Sequence, residues 1–232
     1  MTDIAYNTAC TLPENIILWG GTGQAKVMRP IIEHYGSRVA AVFDDTADLL
    51  SPFPDVKIYH GWDNFRNWIK NHNPEQYGFC ITIGNPHGNI RRDYHKRLLQ
   101  HGLSPVKLIH PECFISKNAE IGAGAQVHAG AVVETQVKTG IQCIINTKAS
   151  VDHECILEDG VEIAPGATLC GLVHVEENSW VGAGATILPR IRIGHDSIVG
   201  AGAVVTEDVA DHVTVAGVPA KIIRTREAHS NG

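Results

Sequence analysis

His153 stands between Asp152 and Glu154 in this 232-residue chain. A carboxylate bonded to an imidazole fixes its tautomer and stabilises its protonated form, which suits a general base at neutral pH. Neighbours on an extended strand point to opposite faces, so either acid meets the ring only if a corner bends the backbone there. A surface histidine without a role fits the same residues. His110, His128, His174, His195 and His212 lack an acid immediately on both sides. A zinc site of shared histidines would call for an HxxxxH pair, which is missing, so no metal is expected.

A second group with chemical potential follows the apolar run Ile16 to Trp19, which ends in Gly20, Gly21, Thr22 and Gly23. A strand, a glycine turn and a helix place backbone N–H groups where a phosphate can sit. Asp44 and Asp45 lie about twenty residues further on, where an acid meets ribose in a βαβ nucleotide site. Lys26 occupies the place of the third glycine in GxGxxG, which disfavours a long dinucleotide. A mononucleotide diphosphate and a tight turn without a ligand remain as readings. Arg91 and Arg92 follow the turn Gly84, Asn85 and Pro86, either facing phosphate or lying on a solvated helix face.

The elements that must position these groups fall into two halves. In the first, a helix is expected from about Gln24 to Tyr35, with Val27, Ile31 and His34 or Tyr35 on one face, and Gly36 stops it. A strand from Arg38 to Phe43, a helix near Asp63 to Asn71, a strand from Phe79 to Ile83 and a helix near Asn89 to His101 continue the alternation, which indicates a parallel sheet. Residues 1–14, polar and carrying Pro13, read as a loose tail.

From Ile115 to Val205 every sixth residue is Ile, Leu or Val, with Thr139 as the exception. Four residues after each leader comes a small or aliphatic side chain, such as Ala119, Cys143, Cys155 or Ala203. An α-helix cannot hold this pattern on one face, because six residues leave successive leaders about 120° apart. A flat-sided coil of roughly 18 residues per turn can, which is the hexapeptide β-helix pattern. Each buried leader contributes at most about 1.5 to 3 kcal/mol, so neighbouring coils hold one another.

A formal net charge of −6 offers no basic field for nucleic acid or an anionic membrane. No segment approaches the roughly 18 apolar residues of a membrane span. The start of the chain lacks the basic and apolar regions of a secretory signal, so a cytoplasmic location is expected. Six cysteines, Cys10, Cys80, Cys113, Cys143, Cys155 and Cys170, show no CxxC spacing and read as buried thiols.

The GGTG turn, the FDD strand end, the IGN turn and a hexapeptide coil carrying DHE, in that order, resemble the sugar acyltransferases of the bacillosamine-pathway N-acetyltransferase and sialic acid O-acetyltransferase type. The resemblance spans about Ile16 to Arg224. It implies a Rossmann-like nucleotide-sugar-binding domain at 15–108, a left-handed parallel β-helix at 109–224, a C-terminal tail at 225–232, a homotrimer, and acetyl-CoA as co-substrate in a groove between coils. By the same resemblance His153 is the base, Glu154 supports it, and Asn146 lines the pocket. Gly171 and Ala201 would hold the pantetheine arm, and Lys221 would approach the CoA phosphates. Glu162 stands where relatives often carry a second histidine near the thioester, and Gln24 replaces another common histidine. Gly21, Thr22 and Gly23 would hold the nucleotide sugar, Asp44 and Asp45 the ribose or base, and Gly84, Asn85 and Arg91 the diphosphate. The expected activity is N-acetylation of a UDP-, GDP- or dTDP-linked 4-amino-4,6-dideoxy sugar in bacterial surface glycan synthesis. O-acetylation of sialic acid or a related sugar, and a non-catalytic trimeric scaffold, are the alternatives.

Overall fold

The computed structural model describes residues 12–84 and 86–225. The tail expected at 1–14 lies outside the described residues through position 11, as do Cys10, Asn85 and residues 226–232. Leu12 packs against the first apolar core and Pro13 lies over Gly78, so the described end of that tail is part of the fold.

The first half is a five-stranded parallel sheet in the order β3-β2-β1-β4-β5. Its elements are β1 (Asn15–Trp19), α1 (Gly23–His34), β2 (Arg38–Asp44), β3 (Ile58–His60), α2 (Gly61–Ile69), β4 (Tyr77–Ile81), α3 (Gly88–Gln100) and β5 (Ser104–Pro105). Strand alternation splits the core into two layers. Ile16 and Leu18 pack with Met28 and Ile32 of α1, while Ile17 and Trp19 pack with Phe65, Phe79 and Leu98 on the opposite face. The helix face differs from the expected one: Val27 is exposed, and Ala25, Met28, Ile31 and Ile32 are buried. The expectation counted back from Ile31 by four residues, whereas the sheet lies over the three-residue ridge of Ala25, Met28 and Ile31.

The second half is a coil of two-residue parallel strands that stack in three sheets, consistent with a left-handed β-helix. Strands recur every 18 residues: Gln126 pairs with Ile144, Ile144 with Glu162, and Glu162 with Trp180. The leaders and their small partners form one continuous core from Ile109 to Val215. Cys143 and Cys155 lie within it, and burial pushes their thiols up to about 12 and about 11, so they are packing residues and not nucleophiles. Thr139, the exception in the leader series, is half-buried and accepts a hydrogen bond from the Gly122 N–H at 2.9 Å.

Corners have their own period. Residues 124, 130, 136 and every sixth position onward to 202 have φ between +54° and +74°. Glycine holds six of these positions, and at the others, Glu154, Asn178 and Asp196 among them, the fold imposes a left-handed backbone on a residue with a Cβ. The last strands, Val213–Ala216 and Lys221–Thr225, form an antiparallel pair that closes the coil end. Among the described residues no helix is long and apolar enough to cross a membrane.

The halves are joined by a part-buried hydrogen bond and a close backbone approach. Tyr35 donates from its hydroxyl to the Ile109 carbonyl at 2.9 Å. Gly88 opens α3 against the coil, where a Cβ would meet the Gly160 carbonyl oxygen at 2.3 Å, so only glycine allows that approach.

Candidate active site

The order of the sheet reverses between β1 and β4, the switch point at which α/β sheets bind ligands. A cavity of about 670 Å³ opens there. Thr22, Gly23 and Gln24 at the start of α1, Asp44 and Asp45 beyond β2, and Gly84 beyond β4 line one wall. Asn146 and Glu162 of the coil line the other. The sequence-derived candidates therefore meet in one place, with exceptions that are physical.

Asp44 is buried and uses both oxygens locally. It accepts from the Gly21 N–H at 2.7 Å and from the Thr46 N–H at 2.8 Å, which fixes the turn that frames the cavity. Gly21 is held in that way and does not line the cavity. Asp45 accepts from the Tyr94 hydroxyl, and Tyr94 stacks on Trp19 with centroids 4.4 Å apart. Burial, and next the Asp45 bond, push the Tyr94 phenol above its ordinary pKa, so it remains a donor. Asn85 lies outside the described residues.

Arg91 is a correction. It does not face the cavity as a phosphate ligand: it is 1 % exposed and lies between the two halves. Its Nε donates to the Gln142 carbonyl at 3.1 Å and its Nη2 to the Gly160 carbonyl at 2.7 Å, while Nη1 points to the Ile83 carbonyl at 3.3 Å and lies 3.7 Å from Glu162. Burial lowers its pKa and the Glu162 charge opposes that shift. The reason is geometric: α3 docks on the coil through Gly88, so the residue one turn later points into the seam. Arg92 lies beside it, bonding Glu177 at 2.6 Å.

Glu162 is 3 % exposed, with the Asn146 amide 3.5 Å away. The unforeseen parts of the cavity are Trp19, Thr46, Thr82, His87, Ile90 and Tyr94. The sequence could have suggested His87, because a helix start beyond β4 belongs at the same sheet edge as the glycine turn. Gln24 does more than line the cavity. Its amide donates to Gln126 Oε1 at 2.7 Å and lies 3.1 Å from His128 Nε2, tying α1 to the coil. Among the described residues no lysine or arginine lines the cavity.

His153 does not line this cavity; it occupies a different corner, 47 % exposed at its side chain. The bend required of the sequence is present, since Glu154 has φ +59°. Glu154 Oε2 lies 3.0 Å from His153 Nδ1, while Asp152 accepts from the His153 backbone N–H at 2.7 Å. A carboxylate can only accept, so Nδ1 carries the proton and the neutral ring presents its lone pair at Nε2. Asp152 holds the backbone and Glu154 the ring.

Gly171 belongs to the same corner: a Cβ there would lie 2.3 Å from His153 Nε2. Glycine at 171 makes room for the imidazole against the next coil. Ala201 is exposed on a turn, and Lys221 is exposed with its Nζ 3.9 Å from Glu207. Neither approaches the cavity wall.

An acid beside a histidine is not unique to His153. His174 Nε2 lies 2.8 Å from Glu158, and His195 has Asp196 at 2.9 Å on Nδ1 and Asp211 at 3.2 Å on Nε2. The Asp196 bond, foremost, raises the His195 pKa. Among the described residues His195, Asp196 and His212 bring three potential ligand atoms within 4.8 Å, where no metal was expected. The two carboxylates on His195 favour a protonated ring, which competes with a metal ion for the same nitrogens.

Comparison with known proteins follows this division. Residues 15–98 match the PglD N-terminal domain, and residues 173–207 match the bacterial transferase hexapeptide repeat. A GDP-perosamine N-acetyltransferase of Escherichia coli O157:H7 is 34% identical over 104 residues, which span 45% of this chain and 46% of that protein. Among solved structures, a histidine-to-alanine variant of GDP-perosamine N-acetyltransferase from Caulobacter crescentus, in complex with CoA and GDP-perosamine, is 32% identical. It superposes with a TM-score of 0.83, over 90% of this chain and 97% of that one. The acetyltransferase domain of PglB from Neisseria gonorrhoeae FA1090 with acetyl coenzyme A is 29% identical, with a TM-score of 0.81 over 91% of this chain and 100% of that one.

Proposed function

The chain belongs to the PglD-type hexapeptide-repeat sugar N-acetyltransferases, and from that membership we infer that it transfers the acetyl group of acetyl-CoA to the amine of a nucleotide-linked amino dideoxy sugar, in glycan biosynthesis. One observation carries the reading for this chain's own residues: a single cavity has a phosphate-type glycine turn on one wall and coil side chains on the other. Residues 15–108 would grip the nucleotide and residues 109–224 would present the acyl donor.

With no lysine or arginine in the lining among the described residues, the diphosphate would be met by backbone amides at the start of α1, where the helix dipole favours an anion. His87 and Thr22 stand beside them. GDP-perosamine, named for the Escherichia coli and Caulobacter crescentus relatives, is the first candidate for the acceptor.

His153 Nε2 would take a proton from the amine as it attacks the thioester carbonyl, with Glu154 holding the ring. Gripping both substrates turns a bimolecular encounter into an oriented one. The base lies on a different corner from the cavity, so the reading requires a homotrimer in which a neighbour's His153 corner closes this chain's cavity. Exposed apolar side chains beside that corner, Ile156 at 43 % and Leu188 at 37 %, support its being covered. The pantetheine arm would pass along the same groove, near Gly171 and Ala201, with Lys221 toward the CoA phosphates.

The test is thiol release from acetyl-CoA in the presence of GDP-perosamine and its UDP and dTDP counterparts, together with the mass of the protein by sedimentation. Trimeric mass and release that depends on an amino sugar are expected. A monomer with full activity would remove the shared-cleft arrangement, and no release with any amino sugar would remove the activity.

A further inference from the structure

Glu162 is out of place as a packing residue. Its column on the coil face runs Gln126, Ile144, Glu162, Trp180 and Ile198, and Glu162 is the one member with a charge. The α/β unit covers this face and leaves the residue 3 % exposed. A buried carboxylate is costly unless a charge compensates it. Arg91 supplies that charge from 3.7 Å, while its own N–H groups are directed at the carbonyls of Gln142, Gly160 and Ile83. The pair is arranged so that the arginine faces the seam and the carboxylate faces the cavity.

The cavity itself is electrically one-sided. Asp44, Asp45 and Glu162 line it and, among the described residues, no lysine or arginine does, although the ligand inferred above carries a diphosphate. Asp44 is engaged with two backbone amides and Asp45 with Tyr94, both on the wall that holds the glycine turn. Glu162 stands on the coil wall opposite, beside Asn146. A ligand with negative charge at one end and positive charge at the other fits that distribution, and an amino sugar joined to a nucleotide diphosphate has it.

Resting on the proposed function, we propose that Glu162 is the residue that selects an amino sugar over a hydroxy sugar, by accepting N–H hydrogen bonds from the sugar's cationic amine. The carboxylate binds the ammonium form and aligns its nitrogen beside Asn146. The ammonium releases one proton to solvent before attack, and the second passes to His153 as the C–N bond forms and from there to the CoA thiolate that leaves when the C–S bond breaks, so Glu162 keeps the charge that Arg91 needs. A hydroxyl at the same carbon offers one donor and no charge, so it gains much less.

Steady-state kinetics with acetyl-CoA and a nucleotide-linked 4-amino sugar test this. In E162Q the KM for the amino sugar is expected to rise about 10- to 100-fold, the range of one charge-assisted hydrogen bond, with the KM for acetyl-CoA and inhibition by the bare nucleotide diphosphate unchanged. E162D, which keeps the charge, should recover part of the loss. A rise in the acetyl-CoA KM instead, or an unchanged amino-sugar KM, would overturn the assignment.

Wild-type inhibition by the amino sugar nucleotide and by its hydroxy analogue, in the absence of acetyl-CoA, gives a second readout that survives if E162Q does not fold. At least a tenfold preference for the amine is expected, and equal affinity would overturn the proposal. Wild-type turnover is measured first, so a missing reaction strikes the proposed function while a missing preference strikes Glu162.

Discussion

Three histidines of the coil lie beside an acid, and two of them, His153 and His195, sit at corners built for different tasks. At one, His153 is half exposed, bonds Glu154 through Nδ1 alone, and lies against Gly171. At the other, His195 bonds Asp196 and Asp211 through both nitrogens and faces a polar cavity under α3 with Arg92 and Lys96. A ring with a carboxylate at each nitrogen is favoured in its protonated form and has no free lone pair to offer. A ring with one nitrogen occupied has a lone pair to offer. The third corner carries His128, buried beside Gln24, where neither exposure nor a carboxylate is provided.

Removing each ring in turn should separate the two corners most strongly. H153A should lower kcat by about 10² to 10⁴ with the melting temperature unchanged, the usual worth of a positioned general base. H195A should leave kcat within about twofold. Equal losses in the two variants would mean that the corners do not differ in role.

Acid titration separates the buried corner from the other two. Burial, foremost, pushes the His128 pKa down to about 4 from 6.5. A depressed folded value means that the unfolded chain binds the proton first, so stability is full above about pH 6.5 and is lost as pH falls toward about 4. Each pH unit across that window is worth roughly 1.4 kcal/mol, so wild type should lose about 3 kcal/mol more than H128Q between the two limits in denaturant melts.

G171A sharpens the first corner. A Cβ 2.3 Å from His153 Nε2 must displace the ring, so kcat should fall by between about tenfold and a hundredfold, with the fold intact. The smallest effect belongs to His195. Its raised folded pKa means that stability is present below about pH 6.5 and fades as pH rises through the folded value, so the deficit of H195Q should be larger at pH 6 than at pH 8.

The coil was legible because its period is a matter of the backbone: one leader every six residues can face a common interior only in a three-sided stack. Cys143 and Cys155 sat inside it as expected. The glycine turn and the acids after β2 were legible for a similar local reason, since strand, turn and helix follow one another within a few residues. Arg91 was not, because its surroundings come from Gln142 and Gly160, 51 and 69 residues away. The pairing of His195 with Asp211 failed to show for the same reason, the acid lying one coil further on. Val27 shows the limit within a single helix, where spacing offers two adjacent faces and only the sheet chooses between them.

What the amino-acid order determined alone is the set of parts: a βαβ unit with a phosphate-type turn, a hexapeptide coil, and a histidine between two acids. The tertiary structure decided how they are used. It made Arg91 a strut, gave the ring of His153 to Glu154 and its backbone to Asp152, and put Glu162 into the cavity of the glycine turn. The physical reason is distance along the chain: local periodicity fixes which way a side chain points from its own element, while docking of α3 on the coil fixes what it meets there.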